Sequence, residues 1–445
     1  MGENILIAHG GGATPVINSS LQGVIEAARH SGRINKIYAA RFGAEGILKG
    51  DLIDLTDVPA STISLLHHTP NSAIGSCRRK LTDTDYPMVF ETLKKFDISH
   101  FFYNGGNDSM DTCSKVNDLA RNEGMDLHVI GIPKTIDNDL DITDHCPGFG
   151  SAAKFAALGA CELALEASGL PIHVIVMEVM GRNAGWLTAS SALAARATNC
   201  EVLTYLPEIP VDTEKMLADI ASAWNKGRGL LVAVSEGAVG LDGTPLASSG
   251  IVDGFGHVIP GGTAQHISDL IIQKLGIKSR AEKPGLMGRN DMSRVSDIDR
   301  QEAYAVGKFA LEAALDGVSG SMVAIHADRG TSYHSELFLT PLAKVANVEK
   351  KFPTEWIVNG NAIADAFFDY AMPLMMDNMP LMRCRQRWPG AMRDGVPPGR
   401  TRRQAGPLTP ANMPSPSGLY VASVGPCTAA ASGRSGAGNA PCGAV

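Results

Sequence analysis

The sequence Pro-Lys-Thr-Ile-Asp-Asn-Asp at residues 133–139 directly follows a short apolar run at 128–132, His-Val-Ile-Gly-Ile, that predicts a buried strand. In an open α/β sheet, ligands bind at the carboxyl ends of the strands. The Asp-x-Asp pair has the chemistry of a metal ligand or a general base, and Lys134 that of a phosphate ligand. A solvated turn rich in Asp and Asn is the alternative when these seven residues are taken alone.

Two earlier predicted strands end in glycine-rich turns that open helices. The apolar run at 4–9 precedes Gly10-Gly11-Gly12, and the run at 98–103 precedes Gly105-Gly106-Asn107-Asp108-Ser109. Backbone N–H groups and the helix dipole cradle phosphate in such an arrangement, although neither the G-x-G-x-x-G nor the Walker pattern occurs here. A ligand-free tight turn and, for Asp108, an ordinary helix N-cap are the alternatives. These two turns and the Asp-x-Asp loop occur in one chain, each at the end of its own predicted strand, so we favour a phosphate site.

Three further predicted strands end in turns that carry a cation or a carboxylate: 172–179 before Met180-Gly181-Arg182, 229–234 before Ser235-Glu236-Gly237, and 280–288 before Arg289. Strands and helices alternate with short connections, which predicts an α/β fold of two doubly wound, Rossmann-like domains with parallel sheets. We predict domains at 1–145 and 146–382, with the active site in the cleft between them and the last helices crossing back.

The charge of the chain is unevenly distributed. Of its 39 basic and 46 acidic residues, eight Arg and one Asp follow residue 382, which leaves 31 basic and 45 acidic residues, a net charge of −14, in the body. A body this acidic argues against nucleic-acid binding, so phosphates would bind at local clusters. Neither a membrane span of roughly 18 apolar residues nor a signal peptide is recognisable. Eight scattered cysteines without a C-x-x-C pair favour reduced thiols in the cytoplasm over zinc sites.

The composition changes sharply at residue 383. The tail at 383–445 holds nine of the 25 prolines, abundant Gly, Ala and Ser, and arginine without lysine. Such a segment does not easily bury a core, so we expect disorder. An out-of-frame reading of a GC-rich coding sequence gives the same composition, and both interpretations stay open.

In this order and spacing, the motifs resemble those of the phosphofructokinase family, specifically its pyrophosphate-dependent branch, over roughly residues 3–382. The 133–139 motif is highly specific to that family, whereas the glycine runs alone are not. The resemblance implies transfer of a phosphoryl group from pyrophosphate to the 1-hydroxyl of fructose 6-phosphate, which gives fructose 1,6-bisphosphate and phosphate. It also implies Mg²⁺ as the cofactor.

The resemblance further implies roles for individual residues of this chain. Asp137 would be the general base for the sugar hydroxyl, while Lys134 and Arg78 would offset charge on the transferring phosphoryl group. The implied catalytic set is Asp137, Lys134, Asp108, Arg182 and Arg78. The implied substrate-binding set is Gly11, Thr135, Asp137, Asp139, Met180, Gly181, Arg182, Glu236, Arg280, Leu286 and Arg289.

This chain departs from the family pattern at two of these positions. The implied metal ligands are Asn107 and Asp108. The family usually has Asp where this chain has Asn107, so Asp108 or Asp139 would contribute more to metal binding. The family usually has an aromatic residue or histidine where this chain has Leu286. The leucine side chain cannot make the hydrogen bond to the sugar that the usual residue would make. Arg280 and His173 resemble residues that reach into a neighbouring subunit, which implies a homodimer or homotetramer.

The choice of phosphoryl donor depends on two of the same residues. ATP-using relatives have Gly at the position of Asp108 and usually at that of Lys134. A carboxylate at 108 would crowd and repel the α-phosphate side of a nucleotide, and Lys134 would add charge for free pyrophosphate. We therefore predict pyrophosphate, with an ATP-dependent enzyme and a non-catalytic sugar-phosphate-binding paralogue as alternatives. An NAD-kinase type leaves Met180-Gly181-Arg182 unexplained, and a dinucleotide oxidoreductase lacks its glycine fingerprint.

Overall fold

The computed structural model describes residues 2–252 and 258–375, and its first part alternates strands and helices up to the 133–139 motif. The elements are β1 (Glu3–His9), α1 (Ile17–Ser31), β2 (Ile34–Ala40), α2 (Ala44–Lys49), β3 (Leu52–Asp54), α3 (Ala60–Ile63), a 3₁₀ turn (Ser64–His68), α4 (Tyr86–Lys95), β4 (Ile98–Gly105), α5 (Asn107–Asn122) and β5 (His128–Pro133).

The middle part builds a second sheet and its helices. It contains α6 (Phe149–Gly169), β6 (Val174–Val179), α7 (Trp186–Ser190), α8 (Leu193–Ala197), β7 (Glu201–Tyr205), α9 (Thr213–Trp224), β8 (Leu230–Ser235), β9 (Ser248–Val252), β10 (Val258–Pro260), α10 (Thr263–Leu270), a π turn (Ile271–Leu275), β11 (Ser279–Glu282) and 3₁₀ turns at Gly285–Arg289 and Met292–Arg294.

The last described part returns towards the first sheet. It contains α11 (Asp297–Leu315), β12 (Ser321–Asp328), β13 (His334–Pro341), α12 (Leu342–Val345), a 3₁₀ turn (Thr354–Trp356), β14 (Ile357–Val358), β15 (Ala362–Ile363) and α13 (Asp365–Met375). None of the helices in the described ranges is long and apolar enough to cross a membrane.

The strands form two larger sheets. One has seven strands in the order β13-β12-β5-β4-β1-β2-β3, and the other has four in the order β11-β6-β8-β7. The four-stranded sheet is parallel throughout, as are the inner pairs of the larger one. The doubly wound α/β class is therefore confirmed, with antiparallel strands β3 and β13 added at the two edges of the large sheet.

The predicted strand at 280–288 is wrong beyond Glu282. The structure ends β11 there and forms a 3₁₀ turn over Gly285–Arg289. Pro284 has no N–H to donate to a neighbouring strand, and Gly285 has φ +55°, which an extended strand does not allow. The boundary near residue 145 stays a prediction, and the tail at 383–445 lies outside the described residues.

Close packing of α1 against α11 ties the end of the fold to its beginning. A Cβ on Gly23 would lie 2.1 Å from the Tyr304 carbonyl oxygen, and one on Gly307 would lie 2.0 Å from that of Ser20. Only glycine permits this approach. The crossing also places Asp299 of α11 at the start of α6, where its carboxylate accepts a 2.7 Å hydrogen bond from the Gly148 N–H.

Candidate active site

A cavity of about 560 Å³ opens at the carboxyl ends of strands from both sheets, and most of the residues singled out from the sequence line it. These are Gly11, Arg78, Asn107, Asp108, Lys134, Thr135, Asp137, Asp139, Met180, Arg182, Glu236 and Arg289. The parallel strands explain this convergence, because their carboxyl ends meet at the same edge of a sheet.

Three residues of the implied substrate-binding set lie outside the lining of this cavity. Gly181 has φ +126°, and a Cβ there would lie 2.6 Å from the Ala184 carbonyl oxygen, so it shapes the turn between Met180 and Arg182. Arg280 is exposed on the edge strand β11, and Leu286 is 64% exposed in the 3₁₀ turn that replaces the expected strand. In a single chain, neither of these two side chains helps to form the cavity.

The first glycine run is tied to the segment that carries Arg78. The Gly11 N–H donates to the Cys77 carbonyl oxygen at 2.8 Å, and the Ser76 hydroxyl donates to the Gly11 carbonyl oxygen at 2.8 Å. Gly11 has φ +78°, a conformation that favours glycine. Because its N–H is already used, Gly11 shapes the loop and aligns Arg78 beside it instead of offering that N–H to a ligand.

The second glycine turn begins helix α5 without a side-chain cap. Gly106 occupies the N-cap position, so Asp108 is not the N-cap but lies in the first turn, where the helix dipole favours a carboxylate. Its side chain is 75% exposed, and Oδ1 lies 3.4 Å from Nζ of Lys80. Asp108 therefore presents negative charge at the mouth of the cavity, with a partly solvated lysine beside it.

Burial and neighbouring charges shift the pKa values of the charged groups inside the cavity. Burial raises the pKa of Asp139 to about 6, and the neighbouring Asp137 carboxylate adds to this shift. Burial also raises the pKa of Asp137, against the opposing effect of the Arg289 guanidinium. Burial lowers the pKa of Lys134 to about 8, with Arg289 contributing. Two carboxylates and two cations with shifted pKa values in one cavity are typical of a catalytic site.

Two oxygen atoms in this cavity have the chemistry of ligands for a hard cation. Oδ1 of Asn107 and Oδ1 of Asp139 are buried without a hydrogen-bond partner in the described part of the chain. The two residues are adjacent, since Nδ2 of Asn107 lies 3.4 Å from the Asp139 carbonyl oxygen. No group of three His, Cys, Asp or Glu side chains among the described residues makes a metal site. Mg²⁺ fits this arrangement because it is often held by one or two protein oxygens together with substrate phosphates.

Sequence reasoning missed a segment from the end of the fold that also lines the cavity, Asn347, Val348 and Glu349. The Lys350 N–H donates to the Asp139 carbonyl oxygen at 2.9 Å, and Leu140 pairs with Glu349 as an isolated bridge. No motif marks this segment. Its place follows from β12 and β13, which return the chain to the large sheet just before it.

Comparison with known proteins places these motifs in a family. Residues 4–314 match the phosphofructokinase family. The pyrophosphate–fructose 6-phosphate 1-phosphotransferase of Methylococcus capsulatus is 42% identical over 84% of this chain and 91% of its own length. The enzyme of that name from Halomonas elongata is also 42% identical, over 84% and 92%. A sulfofructose kinase of Alkalicoccus urumqiensis is 33% identical over 79% and 91%.

Solved structures agree with these sequence relationships. The pyrophosphate-dependent phosphofructokinase of Nitrosospira multiformis superposes with a TM-score of 0.77 at 39% identity, covering 84% of this chain and 92% of that one. The enzyme of the same description from Marinobacter aquaeolei also gives 0.77, at 37% identity and with 84% and 91% coverage. From its family match, its relatives and its fold, the chain belongs to the phosphofructokinase family.

Proposed function

We propose that this chain transfers a phosphoryl group from pyrophosphate to the 1-hydroxyl of fructose 6-phosphate, giving fructose 1,6-bisphosphate and phosphate. The observation that carries the proposal is the meeting of Asp137, Asp139 and the buried Lys134 in one cavity with Arg78 and Arg289. The names of the relatives at 42% identity support the same pair of substrates.

Asp137 acts as the general base. It accepts the proton of the 1-hydroxyl as the new O–P bond forms and the bridging P–O bond of pyrophosphate breaks, and phosphate leaves. Its carboxylate is partly withdrawn from solvent, and its raised pKa makes it a stronger base than an exposed aspartate. Positioned acid–base groups of this kind contribute about 10²–10⁴-fold to rate.

The cations offset charge on the transferring group. Lys134 is only 4% exposed, and a unit charge pair at 4 Å is worth roughly 4 kcal/mol at an effective dielectric constant of 20. Arg78 and Arg289 lie close enough to each other that Arg78 contributes to lowering the pKa of Arg289, after burial. Two guanidinium groups in such proximity favour an anionic ligand between them. Thr135, Met180, Arg182 and Glu236 form the wall assigned to the sugar phosphate.

Mg²⁺ is the proposed cofactor. The unpartnered oxygens of Asn107 and Asp139 would hold it together with pyrophosphate oxygens, and Asp108 lies beside them in the first turn of α5. When bound, the ion neutralises negative charge that builds up on the phosphoryl oxygens.

The preference for pyrophosphate follows from the mouth of the cavity. Asp108 lines the cavity with an exposed carboxylate, and a negative charge there would repel the α-phosphate of a bound nucleotide. Pyrophosphate has no such group. An ATP-dependent enzyme is the alternative donor class.

We also propose a homodimer or homotetramer in the cytoplasm. Arg280 is exposed on the edge strand β11, Ile172 is 47% exposed just before the adjacent strand β6, and Met287 is 62% exposed in the turn after β11. An apolar surface beside an open strand edge is the kind of surface that a second copy covers. The cysteines in the described ranges are free, as expected in a reducing compartment.

The test compares donors on the purified protein with Mg²⁺ and fructose 6-phosphate. We expect turnover with pyrophosphate to exceed turnover with ATP by at least about tenfold in kcat/KM, a difference of about 1.4 kcal/mol in transition-state binding. Equal or faster turnover with ATP would overturn the donor assignment. No turnover with either donor would overturn the proposed function.

A further inference from the structure

The residue between the two cavity aspartates faces away from the cavity. Asn138 is fully buried and has φ +55°, an unusual conformation for a residue other than glycine, although asparagine tolerates it better than most. Its Oδ1 accepts a 3.0 Å hydrogen bond from the Cys146 N–H, and its Nδ2 donates a 2.8 Å hydrogen bond to the hydroxyl of Tyr370. The Asn138 side chain therefore anchors the loop between Asp137 and Asp139 to two other segments.

The Tyr370 hydroxyl joins two points of this loop. It accepts from Asn138 and donates to the Asp144 carbonyl oxygen at 2.8 Å. A phenolic hydroxyl has one hydrogen to donate, so these two contacts use its donor and one acceptor position. One side chain of α13 thus fixes both ends of the segment 138–144, although Tyr370 is separated from that segment by more than 200 positions in the sequence.

The ring of Tyr370 is itself held in a fixed place. It packs against Trp186 and Trp356 with ring centroids 5.3 and 5.7 Å away, and the Arg329 guanidinium lies 4.4 Å from its centre. Nε of Arg329 donates to the Tyr370 carbonyl oxygen at 2.8 Å. A hydroxyl on a ring held from several sides is a rigid reference point, which is what a supporting residue of a catalytic site requires.

We propose that Tyr370 is a positioning residue for phosphoryl transfer, because its hydroxyl sets the orientation of Asp137 and Asp139 through Asn138. Neither Tyr370 nor Asn138 lines the cavity, so both act through the loop and not on the substrate. This inference rests on the proposed function. A displacement of reacting groups by about 1 Å costs up to about 100-fold in rate, and loss of one of the hydrogen bonds that hold this loop is expected to cost about tenfold.

The first experiment compares two tyrosine-to-phenylalanine variants of the full chain. Tyr370→Phe keeps the ring and its packing and removes only the hydroxyl. Its matched control is Tyr304→Phe, which removes a 2.8 Å hydrogen bond to Glu26 between α11 and α1. We expect Tyr370→Phe to lower kcat about tenfold with KM for both substrates within twofold of the parent. Tyr304→Phe is expected to keep parent values.

A second pair of variants tests whether the effect passes through Asn138. Asn138→Gly keeps a residue that adopts positive φ readily but removes the hydrogen bond to Tyr370. If the hydroxyl acts through Asn138, the double variant Asn138→Gly/Tyr370→Phe will be no slower than Asn138→Gly alone. Independent losses that multiply would overturn the proposal, as would a parent kcat in Tyr370→Phe.

Hydrogen–deuterium exchange gives a readout that does not require turnover. We expect the peptide covering 135–146 to exchange at least about threefold faster in Tyr370→Phe than in the parent, with the Tyr304→Phe control unchanged, because the loop opens more often. Parent-like exchange in that peptide would overturn the positioning role. A parent protein without phosphotransferase activity would count against the proposed function alone, and the exchange result would still decide the role of Tyr370.

Discussion

The ammonium nitrogen of Lys134 donates a 2.7 Å hydrogen bond to the carbonyl oxygen of Gly12, which joins the 133–139 motif to the first glycine run. The same run is bound to the Arg78 segment through the contact from the Gly11 N–H to Cys77. The Lys134 ammonium and the backbone segment that leads to Arg78 are therefore both held to one glycine loop, although they come from distant parts of the sequence. A charged group held by the protein in this way is preorganised, which is the condition for efficient charge stabilisation.

Replacing Lys134 by methionine removes this cation and its hydrogen bond while keeping most of the side-chain volume. We expect kcat/KM for pyrophosphate to fall by about 100-fold or more, from the loss of a close charge interaction worth several kcal/mol. Steady-state kinetics at pH 7 would measure it. The control is Lys94→Met, since Lys94 pairs with Glu123 on the surface. A loss of less than fivefold would contradict the role of Lys134.

The pH dependence of activity follows from two shifted pKa values. Asp139 has a pKa raised to about 6 and must be ionised to hold Mg²⁺, so the Mg²⁺ concentration needed for half-maximal rate is expected to rise as the pH drops through 6. Lys134 has a pKa lowered to about 8 and must be protonated, so activity falls as the pH rises through 8. Arginine stays charged throughout this range, so the ratio of Lys134→Arg to parent kcat/KM should rise above pH 8. Pyrophosphate ionises in the same way in the assays of the parent and of Lys134→Arg. A ratio that does not change with pH would therefore show that Lys134 is not the group whose deprotonation lowers activity above pH 8.

Replacing Asp137 by asparagine tests the general base without changing its size. We expect kcat to fall by at least about 100-fold with little change in KM, because the amide cannot accept the hydroxyl proton. Asp126→Asn is the matched control, since that side chain is 99% exposed before β5. Circular dichroism would show that both variants are folded. A parent-like kcat in the asparagine variant would exclude Asp137 as the base.

Replacing Asp108 by glycine tests the donor preference. We expect kcat/KM for ATP relative to pyrophosphate to rise at least about tenfold, because both the charge and the side-chain bulk at the cavity mouth are lost. Asp108→Asn keeps the bulk and removes the charge, so the comparison separates repulsion from crowding. An unchanged donor ratio in both variants would place the discrimination elsewhere.

Replacing Asn18 by alanine is expected to destabilise the protein. This fully buried amide donates to the carbonyl oxygens of Thr69 and Asn71 at 2.8 and 2.6 Å, and accepts from the Ala73 N–H at 2.9 Å. Leaving a buried polar group unpaired costs about 1–3 kcal/mol, so we expect a loss of roughly 2–4 kcal/mol in the free energy of unfolding. Urea denaturation would measure it, with exposed Asn35→Ala as the control. A loss below about 0.5 kcal/mol would show that this loop is held by other contacts.

Much of the fold was predictable because its signals are local. Buried strands followed by polar turns gave the ends of β1, β4, β5, β6 and β8, and the structure brings those turns together in one cavity. The prediction of a strand up to residue 288 was wrong because Pro284 and Gly285 override the apolar pattern around them.

The parts of the site that escaped prediction depend on contacts between distant segments. Asn347–Glu349 reaches the cavity only because β12 pairs with β5, and no local pattern encodes that pairing. The hydrogen bond between Asn138 and Tyr370 could not be predicted from the sequence for the same reason. The sequence assigns no role to Asn138, and only the structure shows that its side chain is buried and hydrogen-bonded to Cys146 and Tyr370.

The insertion of β12 beside β5 has a consequence for synthesis of the protein on the ribosome. The nascent chain completes β1, β2, β4 and β5 early, but β5 stays an open edge until residues 321–322 have emerged and paired with Ile130 and Gly131. For the time needed to translate almost 200 residues, an apolar strand is unpaired on one side and open to intermolecular pairing. Slow translation or a scarce supply of chaperones is therefore expected to lower the yield of soluble protein.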